Sequence, residues 1–116
     1  MADWVNDDQP YPLRVKTGRL VALPYTVELN DIVIYLVQHH SSPEIYRRAR
    51  DAFETLYEEG AESSRIMGIA VHPYVSGAAH RIKYIDKIFE YMKKHDGVLF
   101  MTGEEILDWY DEVGGK

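Results

Sequence analysis

The chain has 116 residues, a net charge of −6 from 13 Lys and Arg against 19 Asp and Glu, and no cysteine. Its composition, 46% hydrophobic and 28% charged, is that of one folded domain over residues 1–116 and argues against disorder. The absence of cysteine excludes disulfides, thiolate metal sites and a cysteine nucleophile.

Negative charge argues against nucleic-acid binding. No apolar run reaches the roughly 20 residues that span a bilayer, and the acidic first residues do not resemble a signal peptide. We therefore expect a cytoplasmic protein with no membrane partner.

The first half of the chain predicts a hairpin and a helix. Residues 13–16 alternate apolar and basic side chains, Thr17-Gly18 supplies a turn, and residues 19–23 return as a mostly apolar run. This pattern is typical of a β-hairpin over residues 13–23. Residues 30–38 are too densely apolar to separate helix from strand. A helix is predicted next, because Ser41 or Ser42 can cap it, an apolar stripe follows at helical spacing, and Gly60 marks its end.

The second half predicts two strands and two helices in alternation. Residues 66–71 and 98–101 are short apolar runs, as in buried strands. An amphipathic helix with Ile85 and Phe89 on its apolar face lies between them, and Thr102 with Glu105 forms a capping box that opens a last helix. Such alternation predicts parallel strands with crossover helices.

The predicted fold class is therefore α/β, with three to four mostly parallel strands. So small a parallel sheet has two open edges. We interpret the chain as part of a larger barrel or wound sheet that is completed by association, as a homo-oligomer (most simply a dimer) or with a complementary chain.

The candidate chemistry lies where predicted strands end, since parallel α/β folds place their sites there. Tyr25, His72 and Thr102 each follow such a strand, so one shared rim is predicted. His72 is the leading candidate, as a general acid or base. The alternative is a structural histidine hydrogen-bonded at the strand end.

The other polar candidates are more ambiguous. The Asp7-Asp8 pair could bind a cation or orient a catalytic group, or it could be an acidic surface loop. Asp31 could line a pocket together with Tyr25, although Asn30-Asp31 is equally a turn or helix cap. No two histidines have the three- or four-residue offset that places metal ligands on one helix face.

Taken together, the motifs resemble a known family. The series runs Asp3-Trp4, Asp7-Asp8-Gln9-Pro10-Tyr11, Leu23-Pro24-Tyr25, Asn30-Asp31, Gly68-Ile69-Ala70-Val71-His72-Pro73-Tyr74, Gly77 and His80-Arg81. In order and spacing it resembles the C-terminal part of the polysaccharide deacetylase family, in the branch that contains allantoinases and peptidoglycan deacetylase-like proteins. The resemblance covers residues 3–109.

The resemblance implies the C-terminal half of a distorted (β/α) barrel that hydrolyses a non-peptide C–N bond in a glycan or small molecule. It assigns His72 as the general acid towards the leaving nitrogen. It places Asp7, Asp8 and Tyr11 in a loop at the rim of the site, with Tyr25, Asp31 and Tyr74 as further substrate contacts. Some relatives hold a divalent metal with an Asp and two His. Those motifs, and the catalytic base, have no counterpart here, so we expect no cofactor in this chain.

Three interpretations remain open at this point. The chain is a hydrolase part that is inactive alone, a noncatalytic half-barrel for self-association or partner binding, or a small independent enzyme. The third is least favoured, because one histidine without a placed base or oxyanion donors makes a poor site.

Overall fold

The computed structural model describes residues 2–3 and 7–113, with the side chains from residue 7 onward. Trp4, which belongs to the motif series, lies outside the described residues. Within the described ranges, every helix is too short or too polar to traverse a bilayer.

A small sheet of three strands forms near the beginning of the chain. Its strands are β1 (Ala2–Asp3), β2 (Tyr11–Leu13) and β3 (Leu20–Leu23), in the spatial order β1-β3-β2. β2 and β3 pair antiparallel, with Leu13 opposite Leu20, and Gly18 turns between them at φ +73°. The predicted hairpin is therefore confirmed. Gly18 is suited to its turn because glycine adopts this left-handed conformation without steric cost. β1 pairs parallel to the other edge of β3.

The ambiguous segment after this sheet is helical. Residues Ile32–Val37 form a π-helix, in which the Gln38 N–H donates to the Val33 carbonyl at 2.9 Å. Ile34 and Tyr35 are buried in it. The Tyr35 hydroxyl donates to the Ser42 carbonyl at 2.8 Å, which ties the π-helix to the start of the next helix.

The predicted long helices are confirmed. They are α1 (Glu44–Glu59), α3 (Ile82–Met92) and α4 (Gly103–Glu112), with a single turn α2 (Pro73–Ser76) before α3. α1 packs against α3. The buried apolar core lies between them and the π-helix, and its members are Leu29, Ile34, Tyr35, Ile45, Ala49, Phe53, Val75, Ile88 and Met92.

The predicted serine cap of α1 was wrong, because its N-cap residue is Pro43 and no side chain makes a cap hydrogen bond. In α3, Phe89 was wrongly placed on the buried face, since it is exposed and the buried residues are Ile88 and Met92.

The prediction of two further strands was wrong for the described residues. In residues 66–71 only Ala70 forms a β-bridge, parallel to Asn30, and residues 98–101 carry no strand pairing. A strand needs a run of backbone hydrogen bonds to a neighbour. The pairing of residues 66–71 with the segment at Asn30 is limited to that one bridge, and the described part of the chain pairs nothing with residues 98–101. Leu99 is 77% exposed and Phe100 49%. The sheet observed is therefore mixed, with one parallel and one antiparallel pair, instead of mostly parallel.

Candidate active site

Two segments that are distant in sequence run side by side and deliver Asp31 and His72 to one place. The Ala70 N–H donates to the Leu29 carbonyl at 2.9 Å, and the Asp31 N–H donates to the Ala70 carbonyl at 3.1 Å. The two segments are parallel, as the bridge between Asn30 and Ala70 shows. Each then enters a helical turn, so both polar side chains lie where a parallel pair ends.

The Asp31 carboxylate accepts three hydrogen bonds in this position. Its Oδ1 lies 2.7 Å from His72 Nδ1, and its Oδ2 accepts from the His72 backbone N–H and from the Ser76 hydroxyl, each at 2.7 Å. Asp31 has no exposed surface and Ser76 is 2% exposed, whereas a third of the His72 side chain is exposed. The pair is thus anchored in the interior and open to solvent on the imidazole.

The charge of Asp31 is maintained in spite of its burial. Burial is the largest single influence on its pKa and acts upward, but the hydrogen bonds from His72 and Ser76 outweigh it, so the pKa of Asp31 is lowered. An ionised carboxylate can only accept hydrogen bonds. Nδ1 of His72 must therefore carry the proton, which leaves Nε2 to exchange a proton with a bound molecule.

One predicted tyrosine contacts this pair. Tyr74 is 72% exposed, and its ring meets the His72 ring edge-on, with 5.7 Å between centroids. The Tyr25 hydroxyl lies 3.5 Å from the side-chain nitrogen of Asn30, the residue before Asp31. The structure therefore brings together three of the predicted site residues, Asp31, His72 and Tyr74, and Tyr25 contacts the residue next to Asp31.

A cavity of about 540 Å³ lies between α1 and the segments 24–29 and 66–68. Asp8 and Tyr25 line it, and His72 and Asp31 do not. Gly68 borders it at a close approach, since a Cβ at this position would meet the Pro24 carbonyl oxygen at 3.2 Å. The cavity and the acid–base pair are therefore separate features of the structure.

The remaining predicted residues lie in the loop and strand before the hairpin turn. Asp7 is exposed and accepts from the Gln9 N–H, and the Asp8 carbonyl accepts from the Ile66 N–H. Tyr11 is half-buried in β2. That these three residues contact a substrate stays a prediction, as does the placement of Thr102 on the same rim as Tyr25 and His72.

At two residues, Asp31 and Ser76, the structure differs from the predicted set of site residues. We predicted a substrate contact for Asp31, and its buried carboxylate instead orients His72, so direct contact with a substrate stays a prediction without geometric support. Ser76 was missed altogether. Its signal in the sequence is its spacing, four residues after His72 across a turn that Pro73 begins.

The part of the chain that the structure describes provides no cluster of metal ligands. Among residues 7–113, no group of three or more His or acidic side chains converges on one point. A hydrolytic metal ion is held by about three protein ligands. We therefore derive no catalytic step through a metal from these residues.

Comparison with known proteins shows which proteins the sequence and the fold of this chain resemble. No protein-family model matches the chain. A Schizosaccharomyces pombe protein named "Putative polysaccharide deacetylase" is 36% identical over 90% of this chain and 36% of its own length. Among solved structures, a "probable Polysaccharide deacetylase" from Pseudomonas aeruginosa PAO1 superposes with a TM-score of 0.87, at 28% identity, over 95% of this chain and 38% of that one. Puue Allantoinase gives a TM-score of 0.87, at 25% identity, over 95% of this chain and 37% of that one.

The suspected resemblance is confirmed in sequence and in fold. The chain is similar in sequence and in fold to the C-terminal part of proteins named polysaccharide deacetylase and allantoinase. It spans little more than a third of the length of each of these relatives.

Proposed function

We propose that this chain supplies the acid–base histidine of a hydrolase that cleaves a non-peptide C–N bond, and that it is inactive alone. The observation that carries the proposal is the contact between the buried Asp31 carboxylate and Nδ1 of His72 at 2.7 Å. Because Asp31 occupies Nδ1, Nε2 is the ring nitrogen left for proton transfer, on a side chain that is one third exposed and whose orientation this contact sets. A histidine held in this way is suited to proton transfer near neutral pH.

In the proposed reaction His72 acts on the leaving nitrogen. Water adds to the amide carbonyl, and its proton goes to a base from outside the described residues. Protonated His72 then donates from Nε2 to the nitrogen as the C–N bond breaks, which releases an amine and a carboxylic acid. The Asp31 carboxylate stabilises the imidazolium before this transfer and stays ionised throughout, because its pKa is lowered by the hydrogen bonds from His72 and Ser76.

The printed names of the relatives suggest two substrate classes, an N-acetylated glycan and allantoin. Both carry a carbonyl–nitrogen bond whose nitrogen leaves more readily when protonated, so one acid serves either substrate. Tyr25, Tyr74 and the acidic loop at Asp7 and Asp8 are the proposed substrate contacts.

We further propose that the barrel is completed by association. Residues 98–101 have no strand pairing within the described chain, and Leu99, Phe100 and Met101 are exposed. Relatives that superpose on this fold are more than twice as long. A second copy, or a polypeptide equivalent to the rest of those relatives, would pair with these edges and bring the base.

A chimera tests the catalytic proposal directly. The matching third of the Pseudomonas relative and of Puue Allantoinase is replaced by this chain, and hydrolysis of N-acetylglucosamine oligomers and of allantoin is measured. We expect activity in one chimera, with a loss of at least a hundredfold in kcat for His72→Gln, since general acid catalysis contributes roughly that much. His80→Gln is the matched control, because His80 is exposed and only eight residues away.

Two results would contradict the proposal. One is activity that His72→Gln leaves unchanged. The other is two folded chimeras that are both inactive towards these substrates, which would favour the alternative of a noncatalytic half-barrel for self-association or partner binding.

A further inference from the structure

Ser76 lies at the closed end of the acid–base pair and is 2% exposed. Its hydroxyl donates to Oδ2 of Asp31 at 2.7 Å, and the His72 backbone N–H donates to the same oxygen at 2.7 Å. The other oxygen, Oδ1, is left for the imidazole. The proposed mechanism uses His72 and Asp31 and does not by itself require a hydroxyl at this point.

We propose that Ser76 is a positioning residue for the acid–base pair, whose hydroxyl fixes the rotation of the Asp31 carboxylate so that Oδ1 stays aligned with Nδ1 of His72. The inference rests on the proposed function of His72, but the test below measures the pair itself and needs no hydrolysis.

The Asp31 carboxylate can rotate about its terminal torsion unless its hydrogen bonds prevent it. The terminal torsion of aspartate is broad, so the backbone alone does not fix the plane of its oxygens. Two donors on Oδ2 and one on Oδ1 define that plane. Without the hydroxyl, Oδ2 keeps only the His72 N–H, and the carboxylate can rotate to improve one contact at the expense of the other.

The turn α2 places the His72 N–H and the Ser76 hydroxyl so that both donate to Oδ2 of Asp31. The Val75 and Ser76 N–H groups both donate to the His72 carbonyl at 2.9 Å, so a single tight turn links the first donor residue to the last. Gly77 follows directly, and a Cβ there would lie 2.2 Å from the Pro73 carbonyl oxygen. Only glycine permits this approach, so the turn holds Ser76 at a fixed distance from His72.

Other charged and titratable groups surround the pair, and they must be separated from the effect of Ser76. The Arg81 guanidinium lies over the Tyr35 ring at 4.5 Å and donates to the Val75 carbonyl at 3.3 Å. Burial raises the pKa of Tyr35 to about 12, so its hydroxyl stays neutral at acidic and neutral pH. A change of charge on Tyr35 therefore does not enter the test in that range.

The test compares Ser76→Thr with Ser76→Val, which have nearly the same shape and differ in the hydroxyl. In the isolated, isotope-labelled chain, NMR follows the Asp31 carboxyl carbon and the two ring nitrogens of His72 against pH. We expect Ser76→Thr to match the wild-type protein. Ser76→Val should raise the pKa of the Asp31 carboxyl and show a mixture of imidazole tautomers where the wild type shows one.

Ser76→Ala gives the same comparison without added volume, and Ser41→Ala, at an exposed serine, is the matched control. If Ser76→Ala does not fold, the Thr and Val pair decides alone. The proposal is overturned if folded Val or Ala variants titrate like the wild type, because Ser76 would then only fill space. Chimera activity does not enter this comparison, so failure of the proposed function and failure of this inference are distinguishable.

Discussion

Asp31 holds His72 at two points, through Oδ1 to the ring Nδ1 and through Oδ2 to the backbone N–H, both at 2.7 Å. A contact to the ring alone would orient the imidazole relative to a carboxylate that is itself free to move. The additional contact to the backbone fixes the start of α2 to the same carboxylate. The imidazole ring is therefore positioned relative to the buried core, although Asp31 and His72 are 41 positions apart in the sequence.

Asp31→Asn is expected to lower stability and to flatten its dependence on pH. The folded-state pKa of Asp31 is lowered, so its ionised form stabilises the fold above the ordinary aspartate pKa, about 3.9. That contribution is lost as the pH falls through the lower, folded-state pKa. An amide also turns an NH2 group towards one of three donors, which costs about 1–3 kcal/mol.

Urea unfolding between pH 3 and pH 7 measures this difference. The wild-type free energy of unfolding should fall more steeply with acid than that of Asp31→Asn. Asp96→Asn, at an exposed position, is the control. Parallel curves for the wild type and Asp31→Asn would mean that the carboxylate is not ionised preferentially in the folded protein.

Glu44 provides a second acid-dependent contribution, at the start of α1. Hydrogen bonds from Arg47 and Arg48, at 2.6 and 2.8 Å, lower the pKa of Glu44 to about 2. The stabilisation is thus complete above the ordinary glutamate pKa, about 4.3, and is lost between that pH and pH 2. Glu44→Gln should cost about 1 kcal/mol at pH 7, from the ion pairs and the helix dipole.

Denaturant melts of Glu44→Gln and of the exposed Glu62→Gln compare this site with an unremarkable one. The gap between Glu44→Gln and the wild type should close as the pH approaches 2. A gap that persists there would show that packing of the side chain, and not its charge, is responsible.

The contrast between what the sequence predicts and what it misses follows from the range of the interactions. The helix at Glu44–Glu59 and the capping box at Thr102 depend on neighbours within four residues, and both are confirmed. The hairpin depends on Gly18 and is confirmed for the same reason. Residues 66–71 and 98–101 carry strand composition, but a strand also depends on a neighbouring backbone, which no local pattern encodes.

In the candidate active site, too, the sequence indicates one residue and misses those that depend on contacts between distant segments. His72 stands out because it is the first polar residue after an apolar run. The partnership with Asp31 was not predicted, since it arises from two segments that meet only in the fold. Ser76 carries no chemical signal of its own until Asp31 is placed beside it.

The capping box at the start of α4 predicts a measurable stability loss. The Thr102 hydroxyl accepts from the Glu105 N–H at 3.2 Å, and the Glu105 carboxylate accepts from the Thr102 N–H at 2.6 Å. Thr102→Ala should lower the free energy of unfolding by about 1 kcal/mol. Thr55→Ala, at an exposed position inside α1, is the control in the same thermal melt. An equal effect of both changes would assign the loss to general threonine removal.

Zinc is expected not to bind the isolated chain stoichiometrically. Among the described residues, no three His or acidic side chains lie close enough together to hold a metal ion. Nδ1 of His72 is also engaged by Asp31. Calorimetric titration with zinc at neutral pH should show only weak, unsaturated heat, equal in the wild type and His72→Ala. Stoichiometric binding that disappears in His72→Ala would show that His72 is a metal ligand and that its assignment as a general acid is wrong.

The last prediction is that the isolated chain self-associates, most simply as a dimer. Leu99 is 77% exposed, Phe100 49% and Met101 39%, in a segment without strand pairing in the described chain. Burial of roughly 1,000 Å² of apolar surface would contribute on the order of 25 kcal/mol before the costs of association and ordering. The sequence has no cysteine for a disulfide that would offset this exposure to water. Association is therefore the expected route, and twofold symmetry is its commonest form.

Light scattering coupled to size exclusion at micromolar concentration should therefore give about twice the 13.5 kDa chain mass. Leu99→Asp places a charge in the segment and should shift the protein towards monomer. Val113→Asp is the matched control, since Val113 is an apolar side chain of similar exposure, 61%, beyond the end of α4. A wild-type monomer that melts cooperatively would contradict the prediction. It would mean that the exposed segment is stable in water as it stands, and that pairing of its edge is not needed to hold Asp31 and His72 together.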